Sequence, residues 1–358
     1  MFACIMQMLK KIVTAPLSWI YGLIISVRHK LFDAGILKSV EFDIPVICVG
    51  NITVGGTGKT PHTEYIVRQL SPYYKTAILS RGYKRKTKGF VLATDRSSCA
   101  AIGDEPKLLK LKFPDIPVAV CESRVAGVRG IRRAHPEVDM VILDDGFQHR
   151  YISPRVNIVL MDYSRPIYED HLLPLGRLRD LKGTIDRAHI VIVTKCPPET
   201  KPIDMRIVSK HLDIKPFQSL FFTRTVSAAP VPVYEGIGHP LGRRHDVVVM
   251  TGIANPEHLL RQARQQFNVV DVMIYPDHYS YKRKDIALME KAVAKGSDDT
   301  VIIITEKDAV KLSSAKKIPA NIRKRLYYIP VSIEFMTNFR RNTKEIFMES
   351  LMGYINKR

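Results

Sequence analysis

A glycine-rich segment, Gly-Gly-Thr-Gly-Lys-Thr at residues 55–60, constrains the fold more than any other feature of the sequence. It follows an apolar run at residues 44–49 and precedes a stretch with helical spacing. Backbone amides of such a loop curl around phosphate oxygens, and the N-terminus of the following helix adds partial positive charge. Lys59 can reach the outer phosphates and Thr60 can ligate magnesium, while Pro61 is tolerated in a first helical turn. The segment therefore predicts a strand–loop–helix unit that binds nucleotide phosphates.

The first position of this loop departs from the usual phosphate-loop pattern. A glycine normally stands five residues before the Gly-Lys pair, and here that position is Thr53. We therefore expect the loop to begin in a different conformation. The predicted nucleotide-binding residues are Thr53, Val54, Gly55, Gly56, Thr57, Gly58, Lys59 and Thr60.

An acidic strand end supports the phosphate loop. Residues 140–143 are apolar and are followed at once by Asp144 and Asp145. An apolar strand ending in acid is the arrangement that holds magnesium opposite a phosphate loop. The alternative, two acids that only cap a strand, is less favoured once the loop is present. Gln148 and His149 continue this turn towards the same cleft.

The pattern of apolar runs predicts a doubly wound α/β fold. Short runs rich in Val and Ile alternate with amphipathic stretches, which is typical of a parallel sheet buried on both faces. The predicted strands are residues 44–49, 76–79, 116–120, 140–143, 157–161 and 189–194, and the predicted pieces of crossover helices are 64–70 and 107–111.

A second, smaller α/β domain is predicted towards the C-terminus. Residues 197–245 are rich in proline and then glycine, and we interpret them as a linker region. Further strands are predicted at residues 247–251, 269–274, 300–305 and 326–331, with a helix at 257–267. The predicted units are an N-terminal helix (1–32), a P-loop core domain (33–225) and a smaller domain (226–345) that closes over the site.

The charge and the cysteine content limit the classes of partner and site. Lys and Arg number 55 against 35 Asp and Glu, which gives a formal net charge of +20. Such an excess indicates nucleic acid, an anionic membrane surface or a phosphorylated substrate. The 5 cysteines are scattered, which excludes a disulfide scaffold and a cysteine-based zinc site. With 46% hydrophobic residues the chain is not wholly disordered.

The N-terminal segment has the pattern of an amphipathic helix. The uncharged window at residues 12–27 is shorter than the ~20 residues that span a bilayer, and no small-x-small cleavage site follows it. A helix starting near Pro16 would place a stripe of Ser18, Gly22, Ser26 and His29 opposite an arc of Trp19, Ile20, Leu23, Ile24 and Val27. We favour an in-plane membrane anchor. A helix packed on the protein's own core is the main alternative, and a true span is a distant third.

Seven segments together resemble the tetraacyldisaccharide 4'-kinase family of lipid A biosynthesis. They are, in order, residues 49–61, which contain the loop, 79–83 (Leu-Ser-Arg-Gly-Tyr), 103–106 (Gly-Asp-Glu-Pro), 144–149 (Asp-Asp-Gly-Phe-Gln-His), 173–177 (Leu-Pro-Leu-Gly-Arg), 276–278 (Pro-Asp-His) and 305–311 (Thr-Glu-Lys-Asp-Ala-Val-Lys). The resemblance covers roughly residues 10–312. It departs from the family at Phe147, where leucine is commoner, and at Tyr279, where a second histidine is frequent.

The resemblance implies a specific reaction and place in the cell. The γ-phosphate of ATP would pass, with Mg²⁺, to the 4'-hydroxyl of a tetraacylated, 1-phosphorylated glucosamine disaccharide. The enzyme would be peripheral, at the cytoplasmic face of the inner membrane of a Gram-negative bacterium. We expect the acylated disaccharide and the anionic membrane surface as partners, no nucleic acid, and a monomer.

The resemblance also implies roles for individual residues. Asp104 would be the base that accepts the hydroxyl proton and His278 its partner, with Lys59 on the phosphates. By pattern alone, Asp104 would be an N-cap of the helix that follows. The implied metal-site residues are Thr60, Asp144, Asp145 and Glu105. The implied substrate-binding residues are Arg124, Gln148, His149 and Arg177, although each arginine has the alternative of a structural ion pair.

Two other functions remain as alternatives. A nucleic-acid-dependent P-loop ATPase or GTPase would use the same loop and charge, and Thr-Glu-Lys-Asp at residues 305–308 faintly resembles a guanine-reading loop. The basic residues lack the interleaved aromatic platform that single-strand binders use. A membrane-associated regulator that binds nucleotide without catalysis is the second alternative. Magnesium-dependent ATP turnover with and without the acylated disaccharide distinguishes the three.

Overall fold

The computed structural model describes residues 2–234, 236, 238, 240–242, 244–253, 256–313, 318–337 and 343–357. The strands are β1 (Val46–Gly50), β2 (Thr76–Ser80), β3 (Val91–Leu92), β4 (Val118–Val120), β5 (Met140–Asp144), β6 (Val156–Asp162), β7 (Ile190–Thr194), β8 (Ser219–Ser227), β9 (Val231–Pro232), β10 (Asp246–Thr251), β11 (Asn268–Ile274), β12 (Val301–Thr305), β13 (Leu326–Ile329) and β14 (Val331–Phe335). The helices are α1 (Phe2–Asp33), α2 (Lys59–Leu70), α3 (Cys99–Ile102), α4 (Asp104–Lys112), α5 (Arg124–Ala134), α6 (Pro202–Leu212), α7 (Glu257–Gln266), α8 (Arg283–Val293), α9 (Glu306–Ser313), α10 (Ala320–Arg323) and α11 (Thr343–Asn356).

The larger sheet has the order β14-β8-β7-β6-β1-β5-β2-β4-β3. Its inner strands run parallel, and β3 and β14 pair antiparallel at the two edges. Alternate residues of β1 enter separate hydrophobic clusters, Val46 and Cys48 on one face and Ile47 and Val49 on the other. The sheet is therefore buried on both faces, which confirms the predicted doubly wound fold. The carboxyl ends of β1, β5 and β6 meet at one edge, where open α/β sheets bind ligands.

The smaller sheet has the order β11-β10-β12-β13-β9. Its four longer strands pair in parallel, and only β9 runs antiparallel to β13. Apolar clusters cover both of its faces. The two sheets approach each other where α4 contacts α9. There the Nζ of Lys112 lies 2.7 Å from a carboxylate oxygen of Glu64 and 2.7 Å from one of Glu306, which joins the two units.

Two sequence-based interpretations of these boundaries differ from the structure. The proline-rich region 197–245 is not a plain linker, because it contains α6 and the long strand β8 of the larger sheet. Residues 331–335, placed by sequence in the smaller domain (226–345), form β14 and pair with β8 of the larger sheet. Helix α11 then packs on the larger sheet through Phe347 and Leu351. The chain thus leaves the larger sheet at β8 and returns to it at β14.

Helix α1 is amphipathic, with its polar stripe turned towards the protein. Ser18 and His29 are buried, whereas Trp19 is 70% exposed and Ile24 62% exposed. The Oγ of Ser18 donates to the Leu172 carbonyl at 2.9 Å, and the phenol of Tyr21 donates to the Arg179 carbonyl at 3.0 Å. The arrangement of the two faces is as predicted. The predicted start near Pro16 is wrong, because the helix begins at Phe2 and Pro16 lies inside it, where it removes a backbone donor and crowds the carbonyl of the preceding turn.

Among the residues that the structure describes, no helix is both long enough and apolar enough to cross a bilayer.

Candidate active site

The phosphate loop lies between β1 and α2 and begins in an extended conformation. The Val54 amide donates to the Arg177 carbonyl at 2.8 Å, and the Arg179 amide donates to the Ile52 carbonyl at 2.7 Å. This short antiparallel pairing explains why Thr53 can stand where a glycine is usual, since extended backbone accepts any residue. The positive φ angles fall later, at Gly55 (111°) and Gly58 (84°), where glycine is needed.

Lys59 starts α2 and points back towards the acidic strand end. Its Nζ lies 3.6 Å from Asp145 Oδ2 and 3.5 Å from Asn51 Oδ1. The side-chain amide of Asn51 also donates to the hydroxyl of Thr57 at 2.8 Å. One buried side chain therefore contacts both the loop and its lysine. Thr60 is buried at the next position. These contacts place the loop cation beside the carboxylates of β5.

The two aspartates at the end of β5 have different environments. Asp144 is buried and accepts from the Thr63 hydroxyl at 3.0 Å through Oδ1, whereas its Oδ2 has no hydrogen-bond partner. Burial raises the pKa of Asp144 to about 7, and the charges of Glu105 and Asp145 act in the same direction. A buried carboxylate oxygen without a partner is the sort of group that a cation satisfies.

Asp145 and Glu105 are already paired with cations. The guanidinium of Arg179 lies 3.0 Å from Asp145 Oδ1. Burial opposes ionisation of Asp145, but Lys59 and Arg179 outweigh it and hold its pKa below the ordinary value. Glu105 is partly buried, which opposes its ionisation, but the ammonium of Lys307 pairs with it and lowers its pKa. Asp145 also has a φ of 56°, an uncommon value for a residue other than glycine.

The predicted metal residues therefore form no ready-made cage. Among the described residues, no group of three His, Cys, Asp or Glu side chains is arranged to hold a metal ion. Magnesium at nucleotide sites is commonly held by one or two protein oxygens together with the substrate phosphates and water. The unpartnered oxygen of Asp144, near the loop that carries Thr60, fits that mode of binding.

Asp104 and His278 come together although they are distant in sequence. The Nδ1 of His278 lies 3.1 Å from Asp104 Oδ2, and both side chains are 15% exposed. Asp104 is the first residue of α4 and Gly103 is its N-cap, so the N-cap interpretation of Asp104 is wrong. His278 has a φ of 61°, and the ring of Tyr83 packs edge-on against its imidazole with centroids 5.4 Å apart. The pair bridges the P-loop domain and the smaller domain.

The charge state of Asp104 is set by these neighbours. Burial opposes its ionisation, but the hydrogen bond from His278 and the ammonium of Lys311, 3.5 Å away, hold its pKa below the ordinary value. An ionised carboxylate can only accept, so His278 Nδ1 donates to it. Its neighbour Glu105 interacts with the charges of Lys59 and Asp145, and α4 contacts α2, the helix that Lys59 begins. A carboxylate poised this way can take a proton from a hydroxyl.

The predicted substrate-binding residues surround the same turn. Arg124 is buried and donates to three backbone carbonyls, among them that of Asp145 at 3.1 Å. The side-chain amide of Gln148 donates to the Arg179 carbonyl at 3.0 Å, and the backbone carbonyl of Gln148 accepts from Arg28 of α1 at 3.1 Å. Burial and nearby arginines lower the pKa of His149 to about 4, so this imidazole is neutral.

Arg177, the fourth predicted substrate residue, lies on another side of the loop. It lines a shallow cleft together with the loop residues from Thr53 to Thr57 and with Asp162, Arg165 and Asp170. Of the two arginines in this segment, Arg179 is the one that contacts the carboxylate of Asp145. The structure thus brings Arg124, Gln148 and His149 to the acidic turn and leaves Arg177 beside the loop.

Sequence reasoning missed several residues of the site. Asn51 contacts Lys59, and Arg179 contacts Asp145. Lys307 contacts Glu105, and Lys311 contacts Asp104. Three of them belong to segments already singled out, because Asn51 lies within residues 49–61 and the two lysines within 305–311. Those segments signalled a site without showing which side chain meets which partner.

Fold and site together define the class of the protein. A glycine-rich loop follows the central strand of a parallel sheet, an acidic strand end lies beside it, and a carboxylate–imidazole pair stands at the junction with a second domain. This is the construction of a P-loop enzyme that transfers a phosphoryl group to a hydroxyl.

The particular family follows from comparison with known proteins. A family model described as tetraacyldisaccharide-1-P 4'-kinase matches residues 10–348. The chain belongs to this family, as its motifs indicated. Membership does not favour the nucleic-acid-dependent ATPase considered from the charge.

Individual relatives agree over nearly the whole chain. A tetraacyldisaccharide 4'-kinase of Phocaeicola vulgatus is 43% identical over 350 residues, which cover 96% of this chain and 94% of the relative. One from Porphyromonas gingivalis is 40% identical over 346 residues, 95% of this chain and 96% of the relative. The crystal structure of LpxK from Aquifex aeolicus in complex with ATP matches with a TM-score of 0.75 and 25% identity, covering 95% of this chain and 98% of that one.

Proposed function

We propose that the protein transfers the γ-phosphate of ATP to the 4'-hydroxyl of a tetraacyldisaccharide 1-phosphate, a late step of lipid A biosynthesis. The observation that carries the proposal is the contact between Asp104 and His278 at the junction of the two domains. The names of the relatives and the ATP in the similar Aquifex aeolicus structure support the choice of substrates.

Asp104 is the proton acceptor in this reaction. A sugar hydroxyl is a poor nucleophile, and a nearby carboxylate that takes its proton as it attacks lowers the barrier. The low pKa of Asp104, set by His278 and Lys311 against the effect of burial, keeps this carboxylate ionised near neutral pH. His278 orients the carboxylate from the second domain by donating through Nδ1. It thereby leaves the other carboxylate oxygen for the hydroxyl.

The phosphate loop and Lys59 position the donor. The loop amides and the N-terminus of α2 bind the phosphate oxygens of ATP, and Lys59 neutralises the charge on the outer phosphates. Phosphoryl transfer depends mainly on positioning and charge stabilisation, so these groups supply most of the rate enhancement. Asn51 keeps Lys59 directed at the site through the contact between its Oδ1 and Nζ.

Magnesium is the expected cofactor at this site. Thr60 and Asp144 are the residues that would hold it, while Asp145 and Glu105 in the same cluster are paired with Arg179 and Lys307. When bound, the ion neutralises charge on the phosphate oxygens of the nucleotide.

The acceptor binds around the turn of residues 145–149. His149 is neutral and offers a hydrogen bond to a sugar hydroxyl, while Gln148 connects the turn to α1. Arg177 supplies positive charge for the phosphate of the acceptor, and an arginine fork suits two phosphate oxygens at once. Arg124 is buried and donates to three backbone carbonyls, so it holds the backbone of Asp145 in place and does not reach the phosphate.

Helix α1 brings the protein to the membrane surface as a peripheral monomer. Its exposed apolar side chains lie on the side away from the protein, with Trp19, Leu23 and Ile24 half to two-thirds exposed. Such a face sinks into the headgroup region, and the net charge of +20 favours anionic lipid. The acyl chains of the acceptor then remain in the cytoplasmic leaflet of the inner membrane while its sugar reaches the site. The smaller domain closes over the cleft from the other side.

The test is transfer of label from γ-³²P-ATP to purified tetraacyldisaccharide 1-phosphate in mixed micelles. The wild type should label the lipid only with magnesium present, and Asp104→Asn should label it far more slowly. ATP hydrolysis that is unchanged by the acceptor, with no labelled lipid, would contradict the proposal.

A further inference from the structure

Three successive carbonyl groups of the phosphate loop are each held by a side chain from outside the loop. The Oγ1 of Thr194 donates to the Thr57 carbonyl at 2.9 Å, and Nδ1 of His62 donates to the Gly58 carbonyl at 2.7 Å. The ammonium of Lys195 donates to the carbonyl of Gly56. These donors come from the end of β7 and from the first turns of α2.

The direction of these carbonyls matters for an anion. In a peptide unit the carbonyl and the amide point to opposite sides, so a carbonyl held on one side of the loop turns the amide of the same peptide towards the other. Of the three amides concerned, that of Thr57 also donates to the Gly55 carbonyl at 3.1 Å. Phosphate loops bind phosphate because their amides converge on it. A carbonyl that turned inwards would present its negative end to the phosphate instead.

His62 is fixed for this contact. It is buried, and its Nε2 accepts from the Thr223 hydroxyl at 3.0 Å. A carbonyl can only accept, so the proton of the neutral ring must sit on Nδ1. Its two partners, the Gly58 carbonyl and the Thr223 hydroxyl, therefore set one tautomer of the ring.

Thr194 and Lys195 are fixed in a similar way. Thr194 is fully buried, and its hydroxyl also lies 3.2 Å from the Met161 carbonyl. Lys195 has a φ of 56°, and its Nζ lies 2.9 Å from Asp162 Oδ2. A side chain in the left-handed region costs free energy that a glycine would avoid. The contacts of the ammonium with the Gly56 carbonyl and Asp162 therefore explain why a lysine stands at this position.

We propose that His62, Thr194 and Lys195 are positioning residues of the phosphate loop, which hold its carbonyls outwards and thereby set its affinity for the phosphates of the nucleotide. The proposal rests on the binding of ATP to this loop in the proposed function. It adds a role for three side chains that do not themselves touch the substrate.

The first test replaces Thr194 with valine, which keeps the shape and removes the donor. Losing one such hydrogen bond should weaken ATP binding about 3- to 10-fold, measured by isothermal titration calorimetry. The inhibition constant of tripolyphosphate, which occupies the loop without a nucleoside, should rise by the same factor. The KM for the acylated disaccharide should not change, because the acceptor is proposed to bind around the turn of residues 145–149.

Thr200→Val is the matched control. The hydroxyl of Thr200 also donates to a backbone carbonyl, that of Pro197 at 2.7 Å, but outside the phosphate loop. This variant should bind ATP and tripolyphosphate as the wild type does. Equal weakening in Thr194→Val and Thr200→Val, or no weakening in a folded Thr194→Val protein, would overturn the proposal.

A pair of variants at His62 tests the donor directly. His62→Asn places an amide donor near the position of Nδ1 and should keep most of the ATP affinity, whereas His62→Leu should lose about 3- to 10-fold. Equal affinity in the two variants would overturn the role of Nδ1. A wild type that binds ATP but phosphorylates no disaccharide would refute the proposed function instead and leave these residues their role.

Discussion

Replacing Asp104 with asparagine, and His278 with alanine, separately and together, tests the pair that joins the two domains. The Nδ1–Oδ2 distance of 3.1 Å defines one hydrogen bond to an ionised group, and loss of such a bond costs about 1.5–3 kcal/mol. His278→Ala should therefore lower kcat by about 10- to 150-fold. Asp104→Asn removes the base itself and should lower kcat by about 10²–10⁴. The KM for ATP should change little in either variant.

The double variant decides whether the two residues act together. If His278 acts only through Asp104, its loss should add little once the carboxylate is gone, so the double variant should remain within about threefold of Asp104→Asn. The assay is steady-state transfer of label from ATP to the disaccharide, with thermal unfolding as a check on each fold. Multiplicative losses would refute the coupling.

The pH dependence of kcat gives a second reading of the same contact. Burial raises the pKa of Asp104, whereas the hydrogen bond from His278 and the charge of Lys311 lower it. The lowering contacts outweigh burial, so the pKa lies below the ordinary aspartate value. The wild-type rate should thus hold as the pH falls towards the ordinary aspartate pKa. In His278→Ala the lowering contact is gone and burial remains, so the acidic fall in rate should move to higher pH. If the acidic limb of the kcat profile stays at the same pH in His278→Ala, His278 does not lower the pKa of the catalytic base.

A histidine elsewhere supplies the control. His135 lies with its Nδ1 3.0 Å from a carboxylate oxygen of Glu137, a similar contact on the exposed surface. His135→Ala should leave both kcat and the pH profile unchanged. A loss as large as that of His278→Ala would show that the effect does not depend on the site.

Three further results are expected. Lys59→Met should lower turnover by several orders of magnitude because the charge on the phosphates is then unbalanced; a near wild-type rate in the same label-transfer assay would show that the loop was wrongly assigned. Replacing Trp19 and Leu23 of α1 with serine should reduce sedimentation with anionic vesicles, while Ile203→Ser, another exposed apolar residue, should not; equal losses would place the membrane contact elsewhere. Phe347→Ala should lower the free energy of unfolding by about 3–5 kcal/mol in chemical denaturation, because this ring is fully buried, and a change below about 1 kcal/mol would contradict its place in the core.

The buried parallel strands before residue 195 and those of the smaller sheet could be predicted from sequence because their burial leaves a local signature, whereas β3, β8 and β9 were not predicted. Continuous Val and Ile runs mark strands covered on two faces, as in β1, β5 and β7. The helix α6 was missed because Pro202 was taken as a breaker. At the first turn of a helix proline costs nothing, and here Asp204 accepts from the backbone amide of Lys201 and completes the start of the helix. Whether Pro202 ends or begins a helix depends on where the helix starts, and the prolines alone did not show this.

Membership of a sheet could not be predicted in the same way. The predicted strand 326–331 ended where β14 begins, and the pairing of residues 331–335 with β8, more than a hundred positions earlier, assigns them to the larger sheet. The site shows the same limit. Its motifs predicted roles for Asp104, His278 and Lys59, but the contact of Asp145 with Arg179 rather than Arg177 depends on how residues 177–179 pair with the start of the loop.

The position of the new phosphate on the product tests the central claim most directly. Purified tetraacyldisaccharide 1-phosphate is incubated with ATP, magnesium and the wild-type protein, with Asp104→Asn as the matched control, and the lipid is examined by ³¹P–¹H correlation NMR. The account predicts a second phosphomonoester coupled to the proton at the 4' carbon, formed by the wild type and nearly absent with the variant. A product phosphorylated at another oxygen, or a lipid returned unchanged while ATP is hydrolysed, would contradict it.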